Sequence, residues 1–218
     1  MDGATAMQYV IDNNIEGAIC ECGVYEGRYP KIFIETMQKN NTARDIYMYD
    51  TYKGLTEPCE FDYTVDGNHM FTMSRDEVLN TWKKNVIDET TNNFCYCPLD
   101  KVKANIDSTG YPQDNLHYIV GDVLETLKDV KNIPDKIALL RLDTDWYDSS
   151  KFELEQMYDK VTPGGVIIFD DYYLWNGQRK ATDDFFQSRN IQYTFTNPPG
   201  NDGNVASIIK IVPAASFN

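Results

Sequence analysis

Five short apolar runs recur along the chain, each rich in β-branched or aromatic residues and each closed by an acidic or glycine-containing turn. They are Ile15–Cys22, Asp45–Asp50, Leu116–Asp122, Lys136–Asp145 and Gly165–Asp171. Near-continuous hydrophobicity over so few residues predicts strands buried on both faces of a parallel sheet. Helical patterns lie between them. Tyr29–Lys39 carries Pro30 in its first turn, where a missing N–H is tolerated. Ser149–Lys160 opens on a residue able to cap and stops at Thr162-Pro163-Gly164-Gly165. Gln178–Arg189 follows the fifth strand. Two further β-like runs, Ile191–Thr196 and Val205–Val212, flank the turn sequence NPPGNDGN, as a hairpin requires.

This alternation predicts an α/β fold, a doubly wound, mostly parallel, seven-stranded sheet ending in a C-terminal antiparallel hairpin. One stretch, about 53–111, breaks the rhythm. It holds a polar aromatic loop (PCEFDYTVDGNHMF), a helical segment (SRDEVLNTWKKNVIDE), a break, and a second helical piece near Lys101–Ile106. The reading is a single domain over 1–218, with this insertion reaching over the strand ends to cover a substrate pocket.

Composition narrows the function. The 218 residues are 42% apolar and 25% charged, which is globular usage. Twenty Lys+Arg against thirty-four Asp+Glu leave a net charge of -14, a field that repels nucleic acids and anionic membranes. No apolar run approaches the roughly 18 residues of a membrane span, and the opening MDGATAMQYVIDNN is too polar for a secretory signal, so a cytoplasmic protein is expected. The five cysteines are then expected as free thiols. Cys20/Cys22 and Cys95/Cys97, with His69 and His117, lack zinc-ligand spacing; Cys20 and Cys22 read as neighbours on one face of a buried strand.

In open α/β sheets, ligands bind at the carboxyl ends of the strands. The first strand ends in Glu21-Cys22-Gly23-Val24-Tyr25-Glu26-Gly27-Arg28, where Gly23 and Gly27 allow a sharp turn before a helix N-terminus. The second ends in Asp50-Thr51, and an acid there can accept both hydroxyls of an adenosine ribose. The third ends in Gly121-Asp122-Val123, suited to the edge and face of adenine. Each acid alone also suits a helix cap. The fourth and fifth strands end in Asp143-Thr144-Asp145 and Asp170-Asp171. If these strands are neighbours, four carboxylates converge, and they cannot all stay ionised without a cation or raised pKa values. An all-carboxylate set suits Mg²⁺ better than zinc. Asp143-Thr144-Asp145 also reads as the D-x-D of a metal-dependent glycosyltransferase, and a cofactor-binding module without catalysis is a third reading. Arg179 and Lys180 are rare cations that suit either an anionic acceptor or a solvated helix turn. Phe61, Tyr63, Phe71, Trp82, Tyr172, Tyr173 and Trp175 suit either core or pocket wall.

The run ALLRLDTDWYDSSKFELEQMYDKVTPGGVIIFDDYYLWNGQRKATDDFF resembles the macrocin O-methyltransferase (TylF-like) family, as do IEGAICECGVYEGR, YDTYKGL and GYPQDNLHYIVGDVLETL in the same order. The resemblance implies a class I methyltransferase fold, S-adenosyl-L-methionine and Mg²⁺ as cofactors, and methylation of a hydroxyl on a sugar, glycoside or nucleotide sugar. By the same resemblance Asp143, Asp170 and Asp171 are metal ligands, and Asp143 is a candidate base with Asp145 beside it. Glu21, Gly23, Val24, Tyr25, Gly27, Asp50, Thr51, Gly121, Asp122 and Val123 lie in the cofactor segments, and a homodimer is allowed by analogy. Tyr172-Tyr173-Leu174-Trp175 departs from the family's Tyr-Gly after the paired aspartates, and little chain precedes the first strand, so a reduced N-terminal lid is expected.

Overall fold

The apolar runs become strands whose alternate residues feed two cores. In β1 (Ala18–Cys22), Ile19 packs into one hydrophobic cluster while Cys20 and Cys22 enter the other. Burial on both faces forces the helices to divide between the two sides of the sheet. The computed structural model describes residues 1–65, 71–196 and 204–210.

The described chain runs α1 (Gly3–Asp12), β1, α2 (Arg28–Lys39), β2 (Ile46–Asp50), α3 (Arg75–Lys84), α4 (Leu99–Asp107), β3 (Leu116–Val120), α5 (Val123–Thr126), β4 (Ile137–Leu142), α6 (Tyr147–Met157), β5 (Val161–Phe169), α7 (Asn176–Ser188) and β6 (Ala206–Ile209). The strand order is β3-β2-β1-β4-β5-β6; the first five are parallel and β6 is antiparallel to β5. The order in which strands are added reverses between β1 and β4, outward to β3 on one side and to β6 on the other. A crevice opens at the carboxyl ends of strands at such a switch point.

Several expectations are corrected. Among the described residues the sheet has six strands rather than seven. Ile191–Thr196 forms no strand; only Phe195 makes an isolated antiparallel bridge, to Ile208. The predicted turn falls largely on 197–203, and Val212 and His69 also lie outside the described residues. Helix α1 was not predicted, although Gly3, Ala6, Met7 and Val10 are buried at helical spacing. Helix α6 begins at Tyr147, two residues before the predicted start, and Ser149 Oγ donates to the Trp146 carbonyl instead of capping. Within the insertion, the predicted helices shorten to Arg75–Lys84 and extend to Leu99–Asp107. No helix among the described residues is long and apolar enough to cross a membrane.

Candidate active site

All five parallel strands deliver residues to one cleft of about 270 Å³ at their carboxyl ends. Gly23 and Tyr25 come from the β1 turn, Asp50 and Thr51 from β2, and Gly121, Asp122 and Val123 from β3. Asp143, Thr144 and Asp145 follow β4, and Asp171 follows β5. The insertion adds Gly54, Leu55, Thr56, Phe71, Phe94 and Cys95.

The turns that form this floor hold one another. Gly23 has φ +83° and its N–H donates to the Tyr49 carbonyl at 2.9 Å. Asp50 Oδ2 accepts from the Val24 and Tyr25 N–H groups at 2.7 and 2.9 Å, and Oδ1 accepts from Tyr52 N–H at 2.6 Å. Burial raises the Asp50 pKa, and these three N–H bonds oppose that shift. Asp50 therefore stitches the β1 and β2 turns together while facing the cleft. Asp122 Oδ1 accepts from Leu124 N–H at 2.9 Å and caps α5, so the capping reading applies to it as well.

Four sequence-predicted positions lie outside the cleft lining. Val24 packs into the core, and Gly27 starts α2 beneath Ile106 and Val102. Glu21 and Asp170 are turned instead toward Arg141, a residue of β4 that the sequence reading passed over. Arg141 Nη1 lies 2.5 Å from Glu21 Oε1 and 2.8 Å from Asp143 Oδ2, and Nη2 lies 2.7 Å from Asp170 Oδ1. Only the Glu21 pairing has hydrogen-bond alignment; those to Asp143 and Asp170 are close charge contacts. A signal for Arg141 was present: a charge inside LLRLD, in a strand buried on both faces, must find a partner.

On the cleft side, carboxylate oxygens of Asp143, Asp145 and Asp171 lie within 4.8 Å of one another. Asp145 holds this place with φ +64°, a left-handed conformation uncommon for aspartate. Burial, then the neighbouring acids, pushes Asp145 well above the carboxylate range. Burial does the same to Asp143 against the pull of Arg141, and raises Asp171 to about 6. Such a group is stable only when some acids hold protons or a cation neutralises them. Hard oxygen donors of this kind suit Mg²⁺. Among the described residues, no cysteine or histidine joins this group, and all five cysteines are free thiols.

The insertion is bolted to the same strand ends. Asp62 is fully buried; its Oδ1 accepts from Tyr147 N–H, the first residue of α6, at 2.8 Å, and its Oδ2 accepts from Cys59 N–H at 2.7 Å. Trp146 Nε1 donates to the Thr56 carbonyl, and Asn176 N–H donates to the Tyr63 carbonyl. Phe71 and Trp175 meet edge-on in the cleft wall with Leu174 nearby, whereas Phe61 packs at a tilt against Tyr147 and Tyr172 is buried in the core. Arg179 and Lys180 do not line the cleft; they pair with Asp183 and Asp184 along α7. No local signal marks Asp62, because its partner Tyr147 is 85 residues away.

Glu153, on α6, was also missed. It is fully buried, accepts from Thr144 Oγ1 at 2.9 Å, and leaves Oε2 without a partner. Burial raises its pKa to about 8. Between the ordinary value of about 4.5 and 8, the folded state keeps a proton that the unfolded chain releases. This group's contribution to stability therefore falls as pH rises through that window, by about 1.4 kcal/mol per unit, and levels off above it. Glu153→Gln is expected to remove one proton's worth of this slope and to gain about 2–4 kcal/mol at pH 8 relative to pH 5. Guanidinium chloride unfolding at the two pH values measures it; an unaltered pH dependence would show that Glu153 is not the titrating group.

Comparison with known proteins agrees with this geometry. The family model for macrocin-O-methyltransferase (TylF) matches residues 3–197. The chain is 26% identical over 181 residues to the 8-demethyl-8-(2,3-dimethoxy-alpha-L-rhamnosyl)-tetracenomycin-C 4'-O-methyltransferase of Streptomyces olivaceus, covering 82% of this chain and 61% of that protein. It is 26% identical over 178 residues to the demethyldecarbamoylnovobiocin O-methyltransferase of Streptomyces niveus, covering 81% and 60%. The chain thus matches about three fifths of the length of these relatives. Among solved structures, the O-methyltransferase NovP superposes with a TM-score of 0.77 at 19% identity, covering 96% of this chain and 78% of that one. An O-methyltransferase from Bacillus cereus in complex with SAH gives 0.57 at 13% identity, covering 95% and 80%. Matched by the family model along most of its length and folded on the same doubly wound plan, the chain belongs to the macrocin-O-methyltransferase (TylF) family.

Proposed function

We propose that the chain is an S-adenosylmethionine-dependent O-methyltransferase that acts with Mg²⁺ on a hydroxyl of a sugar or sugar-containing small molecule. One observation carries this reading: a single cleft joins the β1, β2 and β3 turns to an acidic trio at the ends of β4 and β5. The names of the Streptomyces relatives, which describe O-methylation of a rhamnosyl-bearing compound and of a novobiocin precursor, support a glycosidic acceptor. Solved neighbours bound to SAH or SAM support the cofactor.

S-Adenosylmethionine supplies an electrophilic methyl group, and Mg²⁺ lowers the pKa of an acceptor hydroxyl and fixes its position. Asp143, Asp145 and Asp171 would hold the cation, with Asp170 behind them on Arg141. Asp145, or Asp143 next to it, would take the acceptor proton. Asp50 and Asp122 bind the nucleoside end, and Thr51 and Tyr25 flank it. Leu55, Phe71, Phe94, Leu174 and Trp175 exclude water from the methyl path and align the acceptor.

Calorimetry with S-adenosylhomocysteine tests the cofactor half of the proposal. Micromolar binding, undisturbed by UDP-sugars, is expected; displacement by a UDP-sugar would favour the D-x-D glycosyltransferase instead. A methyl-transfer screen over glycosides and nucleotide sugars, with Mg²⁺ or with EDTA, tests the other half. Asp50→Ala orphans three N–H groups at once and is expected to weaken S-adenosylhomocysteine binding by about 1–3 kcal/mol. An unchanged dissociation constant would reduce Asp50 to a loop staple.

A further inference from the structure

Arg141 occupies a strand buried on both faces, and its own side chain is almost wholly enclosed. Three acids from three adjacent strands surround it. Glu21, its register partner on β1, and Asp143, at the end of β4, share Nη1, while Asp170, at the end of β5, meets Nη2. The ring of Tyr29, on α2, covers the guanidinium face with its centroid 3.5 Å away. Stacking and the Glu21 contact together fix both the plane of the fork and the direction of one arm.

We propose that Arg141 is the positioning residue of the acidic centre: held from beneath by Glu21 and Asp170, it fixes where Asp143 stands in the Asp143, Asp145 and Asp171 trio, and with it the geometry that a divalent cation meets in the cleft. The inference rests on the metal-dependent reading above. Asp143 and Asp170 end neighbouring parallel strands, where two carboxylates would repel and splay. A guanidinium reaches both at once on separate arms, which a point charge on a flexible stem does not. No ion pair joins Arg141 to Asp145 or Asp171 among the described residues, so those two acids remain committed to the cleft. Arg141 does not line the cleft, so it acts on the cation only through the acids it holds.

Arg141→Lys keeps the charge and removes the fork. Three measurements on the full chain separate the outcomes: Mn²⁺ titration followed by electron paramagnetic resonance, calorimetry with S-adenosylhomocysteine, and thermal melting by circular dichroism. The expected result is a folded protein whose Mn²⁺ affinity falls at least ten-fold while S-adenosylhomocysteine affinity stays within three-fold. Equal Mn²⁺ affinity in wild type and variant overturns the proposal, and so does a parallel loss of both affinities, which a merely structural role would produce. Should Arg141→Lys not fold, Glu21→Gln releases the pinned arm while keeping an acceptor, and at least a three-fold loss of Mn²⁺ affinity is expected; no loss overturns the proposal. Wild-type protein that binds S-adenosylhomocysteine but not Mn²⁺ overturns the metal reading itself, and this proposal with it.

Discussion

Asp171→Asn is expected to lower the proposed Mg²⁺-dependent methyl transfer by about three orders of magnitude and to leave S-adenosylhomocysteine affinity within a few-fold. Asp171 stands in the acidic trio, and no ion pair ties it to Arg141, so the substitution spares the buried ion pairs beneath the site. It removes one negative oxygen donor and keeps the size of the side chain. A bound cation contributes several kcal/mol to stabilising charge in the transition state, and each 1.4 kcal/mol is about ten-fold in rate. Losing most of that contribution gives the stated magnitude. Initial rates over a Mg²⁺ series, paired with calorimetry, check it. Turnover within ten-fold of wild type would take Asp171 out of the metal-binding set; equal loss of cofactor affinity would mean that the substitution had disturbed the whole cleft.

Gly23→Ala is expected to destabilise the fold by about 4 kcal/mol or more, or to abolish soluble expression. A Cβ at residue 23 would lie 1.9 Å from the carbonyl oxygen of Asp143, far inside contact distance, and against backbone that cannot rotate away. The φ of +83° adds the strain of a left-handed conformation. Relief requires β1 and β4 to move apart at their carboxyl ends, yet Asp143 N–H is hydrogen-bonded to the Cys22 carbonyl at 2.8 Å. The same movement would pull Glu21 from Arg141 and open the floor of the cleft. Urea unfolding, or the soluble fraction on expression, reads the effect. A stable, cofactor-binding Gly23→Ala protein would mean that the turn is far more plastic than this packing implies.

The central strands were legible because burial on both faces writes a continuous apolar run, which is a local property; β3, at the sheet edge, is apolar in sequence but only half-buried. Helix α1 was missed: its buried positions 3, 6, 7 and 10 follow a helical stripe, but the polarity of MDGATAMQYVIDNN obscured it. The limits of β5 were not legible either. Thr162-Pro163-Gly164-Gly165 reads as a turn, yet β5 runs through it from Val161, with a register shift where Ile137 and Leu139 pair with it and Gly164 at φ +86°. The ladder to β4 jumps from Val161 to Val166, so the turn sequence is kept as a bulge inside one strand, tied on its other side to Lys210. The start of α6 shows the same limit from another side, since the group that satisfies its first N–H is Asp62, in the insertion.

By itself, the sequence determined the strand-helix rhythm, the acidic strand ends and the resemblance that ties them to one family. Each follows from residue types at short spacing. Only the tertiary structure decided how the acids divide. Asp143, Asp145 and Asp171 gather at the cleft, while Glu21 and Asp170 serve Arg141 below it. The physical reason is register: Glu21 and Arg141 become neighbours because β1 pairs with β4, and a carboxylate turns toward whichever cation or cavity that pairing sets beside it. Nothing local encodes a contact between residues 120 positions apart.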